Sequence, residues 1–238
     1  MDNIVTIQNV SIDYPLRKYS LRAVTNLSMD IKRGKITALV GESGSGKTAS
    51  LRNFEAEEVG IFNVAGKPLP FRKKLPKEDN VDYATIQTGL IYGKLKTYVI
   101  DDSQYLMAFE SFRRAKEVGY GKNIDLASNF KNLIQTVISA TPPDVIVYFL
   151  HHTEVFEDGR VKAKTLGKML DNQLTVEGLF SIVLLATRDE TGYHFVTNSD
   201  GLTTAKSPFE MFENVIENDL KKVDMAIREY WDLIPDKK

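Results

Sequence analysis

The chain has 238 residues and contains no cysteine. It can therefore form no disulfide bond, thiol nucleophile or cysteine-based zinc site. Charge of either sign is not in excess, since 31 lysines and arginines face 32 aspartates and glutamates. Hence no global basic field would attract nucleic acid, and any such contact would need a local patch. Apolar runs such as residues 145–150 are far shorter than the roughly 20 residues of a membrane-spanning helix, so we expect no membrane span.

The amino terminus lacks the basic start and apolar run of a secretory signal. Together with the missing cysteine, this favours a cytoplasmic protein. The hydrophobic content of 42% is enough for a real core. The length suits one α/β domain, or one domain with an appended element. We expect an amino-terminal β element over residues 1–34 and a core with a carboxy-terminal helix over 35–238.

Residues 41–48 form a complete G-x-x-x-x-G-K-[ST] phosphate-binding loop. The β-branched, apolar run at 36–40 before it predicts a buried strand, and residues 49–54 after it can open a helix. This strand-loop-helix context favours a nucleotide site over a mere glycine-rich turn. The predicted phosphate-binding residues are Gly41, Glu42, Ser43, Gly44, Ser45, Gly46, Lys47 and Thr48.

Each part of this loop has a distinct chemical role. The glycines let backbone N–H groups point at phosphate, and the helix amino terminus adds partial positive charge. Lys47 would contact the β- and γ-phosphates during catalysis, and the Thr48 hydroxyl would bind Mg²⁺. The pattern thus predicts ATP and Mg²⁺ as ligands.

Two acids follow the apolar strand predicted at 97–100. In a phosphate-loop protein, the acid at such a strand end faces the metal ion. We assign Asp101 to the metal, through water, and Asp102 to activation of the attacking water. The alternative is a strand-end turn with solvated acids. A rival base could come from the glutamates after the loop helix, which are otherwise exposed charges: Glu55, Glu57 and Glu58.

The strand predicted at 145–150 is followed directly by His151, His152 and Thr153. Its carboxyl end opens onto the same crevice. We predict that His152 or Thr153 senses the γ-phosphate, with a plain strand end as the alternative. A metal shared by the two histidines is disfavoured, because neighbouring strand residues point to opposite faces.

Two basic segments are candidates for partner contacts. A hairpin over 157–168, with an Asp-Gly turn, could supply a residue resembling an arginine finger to a neighbouring subunit, or could simply be an exposed charged hairpin. Its cations are Arg160, Lys162, Lys164 and Lys168. Basic groups with aromatic rings suit single-stranded DNA, although helix surfaces are often basic. The DNA candidates are Arg113, Arg114, Lys116 and Lys122, with Phe112 and Tyr120, and more weakly residues 72–74.

The order of elements predicts the fold class. Strands and helices alternate from 36 to 150, which favours a mostly parallel sheet flanked by helices. Two half-exposed antiparallel strands precede it, near 4–7 and 21–31. A short helix at 167–172 and an amphipathic helix over 213–232 are also expected. We therefore expect an α/β fold with an amino-terminal antiparallel element, and the phosphate-binding loop makes it a P-loop NTPase.

Residues 1–48 resemble the start of an ABC-transporter ATP-binding domain. The resemblance lies in I-Q-N-V-S-I-D-Y at 7–14 and in the run from Ala23 to Thr48. It implies that Tyr14 stacks on adenine. The sequence contains no L-S-G-G-Q signature, with which a partner's helix amino terminus would complete each bound ATP.

From Ser45 to the end, the chain resembles phage-encoded RecA-like AAA-domain ATPases. The matching stretches are 46–54, 66–71, 99–107, 152–154, 164–171 and 203–208. The resemblance implies a RecA-like core with a mostly parallel sheet flanked by helices. It also implies ATP hydrolysis, a homo-oligomer, a single-strand annealing protein as partner, and a role in phage DNA recombination or replication in the host cytoplasm. The alternatives are an ABC-type transporter ATPase subunit and a nucleotide-binding regulator that does not hydrolyse ATP.

Overall fold

The computed structural model describes residues 5–15, 20–31, 36–118, 121–166 and 176–233. The chain divides into two compact units, residues 1–33 and residues 34–238. In the first unit, β1 (Val5–Pro15) pairs antiparallel with β2 (Ser20–Ile31), as the alternating pattern predicts. Register shifts interrupt this ladder between Ile7 and Asp13, and Tyr14 faces Leu21 across it.

The second unit contains nine strands in its described part. They are β3 (Ile36–Gly41), β4 (Val59–Asn63), β5 (Lys77–Asp79), β6 (Thr97–Asp101), β7 (Ile146–Val155), β8 (Val161–Ala163), β9 (Ile182–Asp189), β10 (Gly192–Val196) and β11 (Val215–Glu217). Its α-helices are α1 (Tyr83–Tyr92), α2 (Tyr105–Arg113), α3 (Gly121–Ala140) and α4 (Leu220–Tyr230). Short 3₁₀ helices lie at Thr48–Asn53 and Val176–Leu179.

One sheet runs through this unit in the order β11-β10-β9-β3-β7-β6-β4-β5, and β8 pairs separately with β7. The six strands from β9 to β5 are parallel to one another. Strands β10 and β11 extend the sheet antiparallel beyond β9. This confirms the predicted α/β fold of P-loop NTPase type, with a mostly parallel sheet flanked by helices.

Strand β7 separates the phosphate-loop strand β3 from β6. The strands β3, β7, β6 and β4 are parallel neighbours, so their carboxyl ends meet at one edge of the sheet. The register places Gly41 of β3 opposite His152 of β7, and Asn63 of β4 opposite Asp101 of β6. The sheet thereby gathers the loop, the two acids and the histidine pair.

Both faces of the sheet are covered, which explains why its central strands are apolar without interruption. One face packs with α1, α2 and α3 through residues such as Ile86, Met107 and Phe130. The other face packs with the 3₁₀ helix after the loop and with α4, through Leu51 and Ile227. The result is a three-layer arrangement with a core on each side of the sheet.

A buried charged clamp fastens α4 to the sheet. The Asp224 carboxylate accepts hydrogen bonds from the Tyr148 hydroxyl at 2.9 Å and the Thr97 hydroxyl at 3.1 Å. It also accepts one from Arg228 at 2.7 Å, one helical turn away. Arg228 in turn donates to the backbone carbonyls of Asp144 and Lys96. Each charged group is thus partnered, as burial requires.

Several predicted elements differ from the structure. The helix predicted at 213–232 is α4 preceded by β11, because residues 215–217 pair with β10 instead. The residues after the loop form a 3₁₀ helix of six residues, and α3 begins at Gly121, earlier than the predicted cap at Asp125 or Ser128. The helix predicted at 167–172 lies outside the described residues.

Candidate nucleotide site

The loop at 41–48 curls over the carboxyl end of β3. Gly44 and Gly46 have φ angles of 82° and 91°, in the left-handed region that favours glycine. A Cβ on Gly46 would meet the Tyr193 ring at 2.7 Å, whereas one on Gly44 would meet nothing within 4 Å. The loop therefore packs closely against Tyr193 at Gly46, whereas the space beside Gly44 is open. This is a cradle in which backbone can approach a phosphate group.

Lys47 is buried and points into its own loop. Its Nζ donates to the carbonyl oxygens of Gly41 and Glu42, both at 2.8 Å. Burial lowers the pKa of Lys47 to about 8, and the nearby Asp102 and Asp101 oppose that shift. A buried ammonium group held mainly by neutral carbonyls is suited to an anionic ligand, since phosphate would stabilise its charge. The residues present therefore fit the phosphates of a nucleotide.

Thr48 and Asp101 lie in direct contact although 53 residues separate them. The Thr48 hydroxyl donates to the Asp101 carboxylate at 2.9 Å. Burial raises the pKa of Asp101 to about 6, and repulsion from Asp102 adds to the shift, while the Thr48 hydrogen bond opposes it. A hydroxyl and a carboxylate form the hard oxygen donor set that Mg²⁺ prefers. The pair therefore fits a magnesium ion that also binds phosphate and water.

Asp102 follows directly after β6 with a φ of 59°, in the left-handed region. The carboxylate accepts from Lys67 Nζ at 2.8 Å and from His152 Nε2 at 3.0 Å. Burial acts to raise the pKa of Asp102, but the hydrogen bonds from His152 and Lys67 outweigh it and leave the pKa below its usual value. Asp102 is thus an ionised carboxylate beside the loop.

The adjacent histidines have different surroundings, as their alternation along β7 predicts. His151 is buried, with Nε2 at 2.7 Å from the Lys164 carbonyl oxygen and Nδ1 at 2.8 Å from the Ser103 hydroxyl. Burial lowers the pKa of His151 to about 4, so its ring is neutral and Nε2–H donates to the carbonyl. His152 instead faces the cleft. Within the described residues, no group of three or more His, Asp or Glu side chains could hold a metal ion.

These groups line one cleft of about 280 Å³. Its lining joins the loop to both acids and to His152, and includes Ser43, Gly44, Gly46, Lys47, Thr48, Ala49, Lys67, Pro68, Pro70, Asp101, Asp102, His152 and Tyr193. Lys67 and Tyr193 were not predicted from the sequence. Tyr105 is another addition, since its ring lies 5.1 Å from Lys67 Nζ and 6.0 Å from the His152 ring.

Other predicted residues lie elsewhere. Thr153 lines a neighbouring cleft on the other side of the loop, with Ser45 and Arg188. The rival glutamates are engaged outside the site, where Glu55 pairs with Lys73 at 2.7 Å and Glu58 with Lys221 at 2.8 Å. Glu57 lines a different cleft, beside Glu58.

Tyr14 belongs to the first unit and its side chain lies outside the described part of the structure, so its adenine contact stays a prediction.

The DNA-contact candidates of residues 112–122 differ in their ion pairs and in their exposure. Arg114 is engaged by three acids, Glu110 at 3.0 Å, Glu117 at 2.7 Å and Asp125 at 2.6 Å, which removes it as a free DNA contact. Phe112 is 78% exposed. Arg113 and Lys116 are also exposed, whereas Lys122 is half-buried. Tyr120 lies outside the described residues.

The candidate finger hairpin is formed by β7 and β8, with the Asp-Gly turn at its tip. Arg160 donates to Asp158 at 2.6 Å, and Lys162 lies 5.7 Å from the Phe156 ring. Lys168 lies outside the described residues. Arg160 and Lys162 therefore have local partners, and a role of the hairpin toward a second subunit stays a prediction.

A family model described as "ABC transporter" matches residues 24–108, which include the loop and both acids. Three relatives illustrate the likeness. The energy-coupling factor transporter ATP-binding protein EcfA1 of Clostridioides difficile is 43% identical over 56 residues, 24% of this chain and 20% of the relative. EcfA1 of Lacticaseibacillus paracasei is 35% identical over 72 residues, 29% of this chain and 25% of the relative. The phosphate import ATP-binding protein PstB of Parasynechococcus marenigrum is 47% identical over 51 residues, 21% of this chain and 17% of the relative.

The chain thus spans a quarter or less of the length of these relatives. At the level of the domain, the matches confirm the prediction of a P-loop ATPase with ATP and Mg²⁺. They do not support the resemblance to phage RecA-like ATPases, nor DNA or an annealing protein as partner. No helix in the described ranges is long and apolar enough to cross a membrane.

Proposed function

We propose that this protein hydrolyses ATP at the cleft beside the loop and acts as an ATP-binding subunit of the ABC type. The observation that supports it best is the contact of Thr48 with Asp101 at 2.9 Å, next to the buried Lys47. Two distant segments thereby bring together a phosphate-binding loop and a carboxylate suited to a metal. That combination is what phosphoryl transfer from a nucleotide requires.

The loop at 41–48 would bind the phosphates of ATP. Lys47 would exchange the carbonyls of Gly41 and Glu42 for the β- and γ-phosphate oxygens, which are stronger acceptors because they are charged. Thr48 and Asp101 would hold Mg²⁺. When bound, that ion neutralises charge that develops on the phosphate oxygens.

Asp102 would act as the base for the attacking water. The water oxygen forms a bond to the γ-phosphorus, and the bond between that phosphorus and the bridging oxygen of ADP breaks. ADP leaves with the electron pair of the broken bond, and the proton of the water passes to Asp102. His152 would orient the Asp102 carboxylate through its Nε2 hydrogen bond.

The ABC context rests on the family match over residues 24–108 and on the named relatives. In that context, ATP hydrolysis would drive a conformational change in a partner protein. A second copy of this chain would complete each ATP site. The L-S-G-G-Q signature is absent from the sequence, so that motif would not be this chain's contribution to a partner's site. The proposal includes a transporter as the partner protein and a cytoplasmic location for this chain.

A second candidate function is a DNA-dependent ATPase of phage recombination or replication. One surface feature favours it, namely the exposed Phe112 ring beside the exposed Arg113 and Lys116. A stacking ring flanked by cations is the pattern of a single-stranded DNA contact. Arg114 is not counted, because three acids engage it.

Turnover of ATP by the wild-type chain, with and without single-stranded DNA, tests these proposals. We expect Mg²⁺-dependent turnover that Lys47→Ala abolishes. Turnover indifferent to DNA supports the ABC context, whereas stimulation that Phe112→Ala removes supports the DNA candidate. ATP binding without turnover under any of these conditions would contradict both and leave a nucleotide-binding regulator.

A further inference from the structure

Lys67 brings a second cation to the cleft from a segment that the phosphate loop does not include. It lies in the connection between β4 and β5, 35 residues before Asp102. Its Nζ donates to Asp102 Oδ2 at 2.8 Å, while His152 binds the other oxygen, Oδ1, at 3.0 Å. Asp102 therefore keeps one partner if Lys67 leaves.

The backbone that carries Lys67 is held in place. Gly66 has a φ of 66°, and a Cβ at this position would collide with the Asn80 side chain. The Asn63 amide donates to the Lys67 carbonyl oxygen at 2.7 Å. Pro68 follows directly, which restricts the chain further. The stem of Lys67 thus starts from a fixed point at the cleft wall.

The ammonium end, in contrast, is free to move. The Lys67 side chain is 56% exposed, whereas that of Asp102 is only 10% exposed. An exposed lysine stem reorients at little cost, and its ion pair with Asp102 is weakened by solvent. A γ-phosphate carries more charge and more acceptor oxygens than one carboxylate. It would therefore compete well for this ammonium group.

We propose that Lys67 is a catalytic residue of the ATPase. Its ammonium group moves from Asp102 to the γ-phosphate of bound ATP and stabilises that phosphate during transfer. This inference rests on the proposed ATP hydrolysis at the same cleft. The ammonium keeps its three protons throughout. The water proton still passes to Asp102, whose oxygen Oδ2 has been freed by the departure of Lys67.

The test compares Lys67→Met and Lys67→Arg with wild type. Methionine keeps an unbranched side chain of similar length but removes the charge, and arginine restores a cation. We expect Lys67→Met to lower kcat about 10²-fold with little change in the dissociation constant of ATP. Lys67→Arg should recover a large part of the lost kcat. Thermal melting verifies that each variant is folded.

Lys96→Met is the matched control. The Lys96 side chain is 56% exposed, as is that of Lys67, and it pairs with an aspartate, Asp144, at 2.5 Å outside the cleft. We expect wild-type kcat for this variant. An unchanged kcat in Lys67→Met, or a weaker ATP affinity as its sole defect, would overturn the role of Lys67. A wild-type chain without turnover, or Lys47→Ala with full turnover, would instead overturn the ATPase itself, so the two failures are distinguishable.

Discussion

Replacement of Asp102 by asparagine separates the chemistry of this residue from its shape. Its φ of 59° is a conformation that asparagine adopts more readily than most residues, so the backbone should be unperturbed. The side chain keeps its size but loses its charge and its ability to take a proton. If Asp102 accepts the proton of water, kcat should fall by about 10²- to 10⁴-fold, with little change in ATP affinity.

The same change should have a modest cost in stability. Asp102 loses two charge-assisted hydrogen bonds, from Lys67 and from His152. The Lys67 bond is largely solvent-exposed and contributes little. The His152 bond, between two mostly buried groups, contributes about 1.5–3 kcal/mol. We therefore expect the free energy of unfolding to fall by about 2 kcal/mol, which leaves the protein folded.

The assay is phosphate release in a single turnover, with ATP affinity measured separately on a slowly hydrolysed analogue. Urea unfolding gives the stability change. Asp158→Asn is the control, since Asp158 pairs with Arg160 at 2.6 Å in the exposed hairpin and should leave turnover unchanged. A turnover of Asp102→Asn close to that of wild type would refute the assignment of Asp102 as the base.

Three further predictions concern the metal, the clamp and the loop. Because the pKa of Asp101 is raised to about 6, a proton competes with Mg²⁺ below that pH; the Mg²⁺ concentration that half-saturates ATP binding should rise as pH falls from 7 to 5, and a flat profile would contradict this. Asp224→Ala should lower the free energy of unfolding by about 3–5 kcal/mol in urea titrations, since it leaves buried partners unpaired. Gly46→Ala should abolish ATP binding in a fluorescence titration, because its Cβ would meet Tyr193 at 2.7 Å, whereas Gly159→Ala, at a φ of 81° in open space, should bind normally.

The sequence carried the strong local signals of this fold. The apolar runs before the loop and before Asp101 correspond to β3 and β6, which are buried on both faces. The pairing of Thr48 with Asp101 could be anticipated because both follow parallel strands, whose carboxyl ends share one edge. The opposite orientations of His151 and His152 followed from strand alternation.

What the sequence did not reveal depends on long-range contacts. Residues 215–217 lie in a pattern compatible with a helix, but pairing with β10 makes them a strand, so tertiary contacts outweigh local propensity. Lys67 and Tyr193 carry no motif. Lys67 reaches the cleft from the connection between β4 and β5. Tyr193 reaches it from the start of β10, which pairs antiparallel with the carboxyl end of β9.

Phosphate release from ATP by the wild-type chain, with Mg²⁺ and then with EDTA, tests the central claim most directly. With Lys47, Thr48 and Asp101 in one cleft, we predict sustained turnover in Mg²⁺ and none in EDTA. Bound ATP that stays intact in Mg²⁺ would contradict an ATPase at this site, as would equal turnover in the two conditions.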